Sequence, residues 1–258
     1  MEIAGKPENE KLQTITEHLK DLRTCLVRSV AGLLLAVFGC MPFMGKIFDF
    51  FTSPLVNAMP DNAHMLSVGV VSPVMVPIKM TLFLAFLIAL PWILYQAWLF
   101  VGPGLYHKEK KTVIPVVISS FVMFLTGIAY CYFVVFGMVF KFIAGFAPET
   151  INFAPDIDSY ISFMLTMFLS FGLVFETPVL VIFLYKTGAV SLEKLKKGFP
   201  YVLIGAFVIA AIFTPPDVLS QFLLAAPLVL LYGLSIGLIS LFSKKDSRTT
   251  SELERIKS

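Results

Sequence analysis

Six long apolar runs alternate with short polar stretches along the chain. Their charge-free interiors are residues 29–45, 80–106, 112–140, 159–175, 199–216 and 218–243. The fourth run continues past Glu176 to residue 185. Because about 20 apolar residues are enough for one transmembrane helix, the pattern predicts an all-α polytopic membrane protein. It has six transmembrane helices in a single membrane domain over residues 29–243.

A different pattern precedes the first run. Apolar residues recur there at spacings of three and four, at Leu12, Ile15, Leu19, Leu22 and Leu26. This spacing gives residues 1–28 one apolar stripe and predicts an amphipathic helix, with Thr14 and Glu17 forming a capping box at its start. The helix either lies at the membrane interface as an anchor or runs directly into the first span. At the other end of the chain, the polar residues 244–258 are predicted to be a disordered tail.

Prolines mark the last two runs. Fourteen residues separate Pro200 from Pro215, which is about 21 Å of helix and is short of a hydrocarbon core of about 30 Å. Pro227 interrupts the sixth run. The fifth span is therefore predicted to be short, and short spans either thin the bilayer or are shielded by other protein. At the start of the fourth run, Asp158 or Ser159 is the predicted N-cap.

Composition and charge fix the class and the orientation. The 258 residues are 57% hydrophobic and 14% charged, whereas a soluble domain has about a quarter charged residues. Lysines and arginines number five before the first run, three after the second, four after the fourth and five in the tail. The opposite side has only Lys46, Lys79 and Lys141. The positive-inside rule therefore predicts that both termini are cytoplasmic.

The sequence lacks the usual motifs of a catalytic site. It contains no phosphate-binding glycine loop, no Ser/His/Asp set and no cluster with metal-ligand spacing. His18, His64 and His107 are scattered over three segments, and the three cysteines lie in or beside apolar runs. We therefore predict that the protein is not an enzyme, binds no metal or other cofactor and has no disulfide framework.

Glu176 is the only acidic or basic residue between residues 159 and 185. A carboxyl group within a membrane span is costly and marks function by default. Pro178, two residues later, frees a backbone carbonyl one turn earlier. Two interpretations remain open. The acid is either kept for packing, through hydrogen bonds to neighbouring hydroxyl groups, or it is a protonatable site that faces a cavity or a partner helix.

Two other acids, Asp21 and Glu109, are predicted to lie on the cytoplasmic face. Asp21 is in the amphipathic segment and Glu109 is in the basic loop that follows Phe100. Two carboxylates on converging segments hold a pair of arginines by bidentate hydrogen bonds, which lysine cannot reproduce. Alternatively, Glu109 pairs with the lysines beside it, an interaction worth under ~1 kcal/mol. Spacing alone leaves both interpretations open.

Seven motifs in one order give the chain a family resemblance. They are HLKDLR (18–23), SPL (53–55), YQAWLFVGPGLYHKEKK (95–111), DIDSYISF (156–163), FGLVFETPV (171–179), PYVLIGAF (200–207) and TPPDVLSQ (214–221). By these motifs, which lie within about residues 14–242, the chain resembles TatC, the signal-peptide receptor of the twin-arginine protein translocase.

The resemblance implies a cupped six-helix protein of the bacterial inner membrane that binds Arg-Arg signal peptides of folded proteins. It also implies TatA- and TatB-type single-span partners, an oligomeric complex in the lipid bilayer, export driven by the proton-motive force, and no nucleic acid. It assigns signal-peptide binding to Asp21, Arg23, Leu26, Phe100 and Glu109, where Asp21 replaces the glutamate usual in the family.

The resemblance assigns four further residues. Glu176 and Gln221 are expected to contact partners within the membrane, and Pro54 and Asp217 are expected to act at the outer face. Two other functions remain open from the residues alone. One is a proton-coupled secondary transporter with Glu176 as its proton site, although the two halves of the chain show no repeat. The other is a purely structural membrane scaffold.

Overall fold

The computed structural model describes residues 6–58, 66–101, 113–139, 156–214 and 217–257. These residues form eight α-helices and two short turns of other helix types, and residues 136–139 are also helical. The α-helices are α1 (Lys6–Cys40), α2 (Met44–Ala58), α3 (Ser72–Val101), α4 (Val113–Tyr130), α5 (Ile157–Phe175), α6 (Thr177–Lys186), α7 (Leu192–Phe213) and α8 (Val218–Lys257). A 3₁₀ turn, Met41–Phe43, joins α1 to α2, and a π-helical turn, Cys131–Val135, follows α4.

Six helical segments in this part of the chain are long and apolar enough to cross a membrane. They are Leu19–Asp49, Ser72–Phe100, Val113–Val139, Ile157–Lys186, Leu192–Phe213 and Val218–Leu241. The predicted all-α class with six transmembrane helices is therefore confirmed. Packing divides the chain into two compact units, residues 1–121 with 156–161 and residues 122–155 with 162–258. A single membrane domain over residues 29–243 stays a prediction.

In the first unit, α1 and α2 pack against α3, and α1 runs antiparallel to it. The Trp92 Nε1 atom of α3 donates a hydrogen bond to the Arg28 carbonyl of α1 at 3.0 Å. The Trp92 ring also fills the space that a side chain at Gly32 would need. Further along, Phe83 of α3 meets Phe51 of α2 edge-on, with ring centroids 6.4 Å apart. A later residue of the α1–α2 segment, Phe51, therefore contacts an earlier residue of α3, Phe83.

The N-terminal segment runs directly into the first span. The helix α1 is continuous from Lys6 to Cys40, which decides between the two predicted arrangements. The predicted capping box was wrong, because Thr14 lies two turns inside the helix. Only 6% of the most apolar stretch of this span is buried, against 39% in the span of α3. Most of the side chains in this stretch are therefore exposed, although α1 packs extensively on α3.

In the second unit, α4 crosses α5 at very close range. A side chain at Gly127 of α4 would meet the Phe171 carbonyl group of α5, and a side chain at Gly172 would meet the Phe124 ring. The Tyr130 ring packs against the rings of Phe171 and Phe175, with centroids 5.8 and 5.5 Å apart. Glycine is required at this crossing because the two backbones approach too closely for a larger residue.

The fifth span begins earlier than the sequence predicted. The helix α7 has 22 residues and passes through Pro200, so Pro200 does not bound it, but it is the shortest of the six candidate spans in the described residues. Its charge-free part, residues 198–213, is about 24 Å long and still short of a core of about 30 Å. The charge-free part is shorter than the helix because Lys196 and Lys197 lie in the first turns of α7.

The last helix also differs from the prediction. The backbone of α8 passes through Pro227 and is helical to Lys257, where the sequence indicated a disordered tail from residue 244. No glycine or proline follows Gly237, so nothing in the sequence breaks the helix there.

A buried cluster of Val181, Leu195, Tyr232 and Ile239 joins α6, α7 and α8. Within it the Tyr232 hydroxyl donates to the Leu195 carbonyl at 2.9 Å.

Candidate functional site

Asp21 and Phe100 lie at the same end of the antiparallel α1–α3 pair. Counted from the contact between Trp92 and Arg28, Phe100 lies eight residues further along α3, which is about 12 Å of helix. Asp21 lies seven residues before Arg28 on α1, about 10 Å in the same direction. The packing of the first unit therefore places these two predicted site residues at about the same level along the axis of the α1–α3 pair.

The three predicted residues of α1 do not share one face. Asp21 is seven and eleven residues before Arg28 and Gly32, so it lies on the side of α1 that meets α3. Arg23, two residues on, is rotated by about 200° around the helix and lies on another side. Asp21, Arg23 and Leu26 are all exposed, Leu26 to 62%. Among the described side chains, neither Asp21 nor Arg23 forms an ion pair.

For two other predicted residues, Glu109 and Pro54, the structure does not describe the side chain. Glu109 lies outside the described residues, in the segment 102–112 that follows α3. Pro54 lies within the backbone of α2. The contact between Asp21 and Glu109 therefore stays a prediction, and so does the role of Pro54.

Glu176 stands at a break between α5 and α6. Its N–H donates to the Leu173 carbonyl, three residues back, at 3.1 Å. Pro178 has no N–H to give to the Val174 carbonyl, and the Thr177 hydroxyl donates to that carbonyl instead at 2.6 Å. The freed carbonyl predicted from the sequence is thus the one at Val174. The Glu176 side chain is half-buried and its Oε1 atom is fully buried, so the carboxyl sits where the helix is already interrupted.

Asp217 and Gln221 fix the start of α8. The Asp217 carboxylate accepts a hydrogen bond from the Ser220 N–H at 2.7 Å, which makes Asp217 the N-cap of this helix. The Gln221 Nε2 atom donates to the Phe207 carbonyl of α7 at 3.2 Å. Both residues therefore have a local structural role in the second unit.

Asp156 is a residue that sequence reasoning missed. Its Oδ2 atom accepts hydrogen bonds from the N–H and the hydroxyl of Ser159, at 3.0 and 2.8 Å. Asp156 is therefore the N-cap of α5, and the predicted caps, Asp158 and Ser159, were wrong. Its other oxygen accepts from the Val68 N–H at 3.2 Å. The available signal was an acid three residues before a serine, the spacing of an N-cap and its N3 partner.

Asp158 instead joins α5 to α3. Its carboxylate forms an ion pair with Lys79 at 2.6 Å, and each side chain is about one third exposed. Beside it, the Ile157 N–H donates to the Leu66 carbonyl at 2.9 Å. The start of α5 is thereby tied to both α3 and the segment that precedes α3.

The hydrogen bonds to Asp156 predict how acid affects stability. The Ser159 backbone N–H, then its hydroxyl and the Val68 N–H, hold the pKa of this carboxyl below its ordinary value of 3.8. A lowered pKa in the folded state stabilises the fold above the unfolded-state pKa, and this stabilisation is lost as pH falls through the folded-state pKa. We expect Asp156→Asn, which keeps a capping oxygen, to make thermal stability in detergent less sensitive to acid below about pH 3.8.

Asp49→Asn is the matched control for this experiment. Asp49 is exposed and forms no ion pair among the described residues, so its replacement should leave the acid sensitivity of the melting temperature unchanged. The same acid sensitivity in Asp156→Asn and in the unsubstituted protein would contradict the capping role of the charged form.

Sequence and structure comparisons find relatives of one family. The family model described as Sec-independent protein translocase protein (TatC) matches residues 17–227. The Sec-independent protein translocase protein TatC of Halothiobacillus neapolitanus is 42% identical over 252 residues, which cover 98% of this chain and 69% of the relative. The protein of the same description from Escherichia coli K12 is 39% identical over 227 residues, 88% of each chain. A crystal structure of the twin-arginine translocase receptor TatC in DDM superposes with a TM-score of 0.77 at 35% identity, over 86% of this chain and 98% of that one.

Proposed function

The chain belongs to the TatC family and is a multi-pass membrane component of the Sec-independent protein translocase, and we propose that it is the subunit that binds twin-arginine signal peptides. It recruits single-span partners of the TatA and TatB type, and folded proteins are then exported with the proton-motive force. Its lysine and arginine distribution supports an orientation with both termini in the cytoplasm, and the resemblance to the family supports the bacterial inner membrane as the location of the spans. Membership of a translocase family favours this function over the proton-coupled transporter.

The proposal rests on the position of Asp21 and Phe100, which lie at about the same level along the α1–α3 pair. Asp21 is exposed on the side of α1 that meets α3 and has no ion-pair partner among the described side chains. The segment that contains Glu109 leaves α3 at this same end, after Val101. A peptide with two arginines would bind here with one guanidinium on each carboxylate. Arginine forms two parallel hydrogen bonds to a carboxylate, whereas lysine provides only a point charge.

Partner recruitment rests on the polar groups of the second unit. Gln221 uses its Nε2 atom to bind the Phe207 carbonyl, and its amide oxygen accepts no hydrogen bond from the described residues. The half-buried Glu176 lies at the break between two helices. Polar side chains in apolar spans hydrogen-bond across helices, so both residues suit contact with a polar group on a partner span.

The signal-peptide proposal predicts the effect of two neutral substitutions. Asp21→Asn and Glu109→Gln should each reduce photo-crosslinking of an Arg-Arg signal peptide about tenfold or more, because a charge-assisted hydrogen bond contributes roughly 1.5–3 kcal/mol. The measurement uses membrane vesicles and reporters that differ only in an Arg-Arg or a Lys-Lys pair. The Lys-Lys reporter should crosslink weakly to all variants.

Glu193→Gln is the matched control, since Glu193 is an exposed acid at the start of α7. It should leave Arg-Arg crosslinking unchanged. Crosslinking that is equal for the Arg-Arg and Lys-Lys reporters, or that is unaffected by both substitutions, would contradict the proposal.

A further inference from the structure

A buried amide lies on the side of α3 that meets α1. Gln96 is four residues after Trp92 and four before Phe100, so it lies on the same side of α3 as these two rings. Only 1% of Gln96 is exposed, and its Oε1 atom has no hydrogen-bond partner among the described residues. The residue is within the span Ser72–Phe100, where the hydrocarbon core offers no donor. The unpaired oxygen therefore destabilises the protein when no peptide is bound.

The facing side of α1 does not supply the missing donor. Thr24 and Cys25 lie four and three residues before Arg28, about 5–6 Å along the axis, which is the level of Gln96. The Thr24 hydroxyl donates to the Lys20 carbonyl of its own helix at 2.9 Å, and a cysteine thiol is only a weak donor. The Gln96 oxygen is thus an acceptor in a fixed position, and a donor to it has to come from outside this pair of helices.

Gln96 lies one helical turn deeper in the span than the level of Asp21 and Phe100. Four residues of α3 separate Gln96 from Phe100, which is about 6 Å. An extended peptide advances about 3.3 Å per residue. A peptide whose arginines bind at the level of Asp21 therefore reaches Gln96 about two residues further along. Its backbone N–H groups leave water there and need an acceptor.

We propose that the Gln96 carboxamide accepts a hydrogen bond from a backbone N–H of the bound signal peptide, about two residues after its arginine pair. This inference rests on the proposed signal-peptide function and adds an acceptor inside the span to the carboxylates at its cytoplasmic end. The peptide displaces the side chains that cover the oxygen, and the new bond offsets the cost of uncovering it. Gln96 thereby favours peptides that continue as an extended chain into the span over peptides held by their arginines alone.

The test measures peptide binding and stability in one variant. Gln96→Met keeps the length of the side chain and removes the amide. The full chain is purified in dodecyl maltoside and titrated with a photoreactive Arg-Arg peptide. Crosslinking should fall about threefold to tenfold, the loss expected for one net hydrogen bond. The melting temperature should rise, because an unpaired buried polar group is removed. A merely structural role of Gln96 would lower both quantities.

Thr81→Val is the matched control. Thr81 is also a buried polar residue of α3, but its hydroxyl already donates to the Pro77 carbonyl at 2.7 Å. An apolar replacement of the same shape should leave peptide crosslinking unchanged, and it should not raise the melting temperature. A loss of crosslinking in both variants would indicate that any apolar replacement inside α3 disturbs the site, and it would refute the specific role of Gln96.

Proline substitutions in the peptide identify the hydrogen bond. Proline has no N–H, so it replaces each of the first three residues after the arginine pair in turn. At one position, proline should weaken binding to the unsubstituted protein but not to Gln96→Met, in which the bond is already absent. Losses that add at every position would refute the bond, and so would a lower melting temperature of Gln96→Met. If the unsubstituted protein binds Arg-Arg and Lys-Lys peptides equally, the signal-peptide function itself fails. If it prefers Arg-Arg and Gln96→Met binds as tightly, only the role of Gln96 fails.

Discussion

Replacing Gly127 by leucine is expected to prevent the chain from accumulating as folded protein. A Cβ atom at this position would meet the carbonyl group of Phe171 and the Cβ of Phe175. A backbone carbonyl cannot turn aside as a flexible side chain does, so α4 and α5 would have to separate. Overpacking costs typically 1–3 kcal/mol and occasionally more, and a leucine against a backbone belongs at the upper end. Fluorescence-detected size-exclusion chromatography of a fluorescent fusion, before and after heating, measures the loss.

Gly137→Leu is the matched control for this prediction. It makes the same change after the π-helical turn that follows α4, and a Cβ there would have no heavy atom of the described residues within 4 Å. The control should fold and elute like the unsubstituted protein. Its apolar side chain meets lipid, and leucine is also the better helix former. If both variants are lost equally, the close crossing of α4 and α5 is not the cause.

The same crossing positions the intramembrane acid. Tyr130 lies one turn after Gly127 and packs on Phe171 and Phe175, the residues that lead to Glu176. The end of α5 is therefore held by α4 on the side where the helix breaks. Pro178 interrupts the helix because it has no N–H to donate to the Val174 carbonyl. The Thr177 hydroxyl supplies the missing donor. Glu176 is thus placed by a rigid contact and a local interruption together.

The spans were predictable because a membrane imposes a strong length requirement. A helix must carry about 20 apolar residues to cross, so run lengths alone gave the number of spans and the fold class. The prolines were misread for a related reason. In water Pro200 and Pro227 would end helices, but membrane helices tolerate proline because neighbouring groups satisfy the freed carbonyls. In the structure both residues lie inside continuous helices.

The contacts between helices were not predictable from the residues. Gly32, Gly39, Gly127 and Gly137 look alike in the sequence, yet two of them lie at crossings and two face open space. The difference depends on which helices pair, and that information is spread over residues far apart in the chain. Asp21 and Phe100 are an example. Spacing could suggest only that their segments converge, and the α1–α3 packing supplies their common height.

Replacing Gly32 by leucine is expected to detach α1 from α3. The Trp92 ring occupies the space that the new side chain needs, and pushing it away also breaks its 3.0 Å hydrogen bond to the Arg28 carbonyl. Overpacking of this kind costs about 1–3 kcal/mol. Among the described residues α1 packs mainly on α3, so displacing Trp92 disturbs the packing on which the position of the first span depends. Because this packing sets the heights of Asp21 and Phe100, Arg-Arg crosslinking should fall by about tenfold or more.

Gly39→Leu separates this effect from a general intolerance of α1 to leucine. Within the part of the chain that the structure describes, a Cβ at Gly39 would meet no heavy atom within 4 Å, so export and crosslinking of the Arg-Arg reporter should persist in that variant. Gly32→Leu should still insert, because the apolar length of the first span is unchanged, and protein levels in the membrane measure this directly. If Gly32→Leu inserts and binds the Arg-Arg peptide normally, recognition does not depend on the α1–α3 contact. Reduced binding in an inserted protein would instead make Trp92 a positioning residue for the acid on α1, although it lies about 10 Å away along the helix.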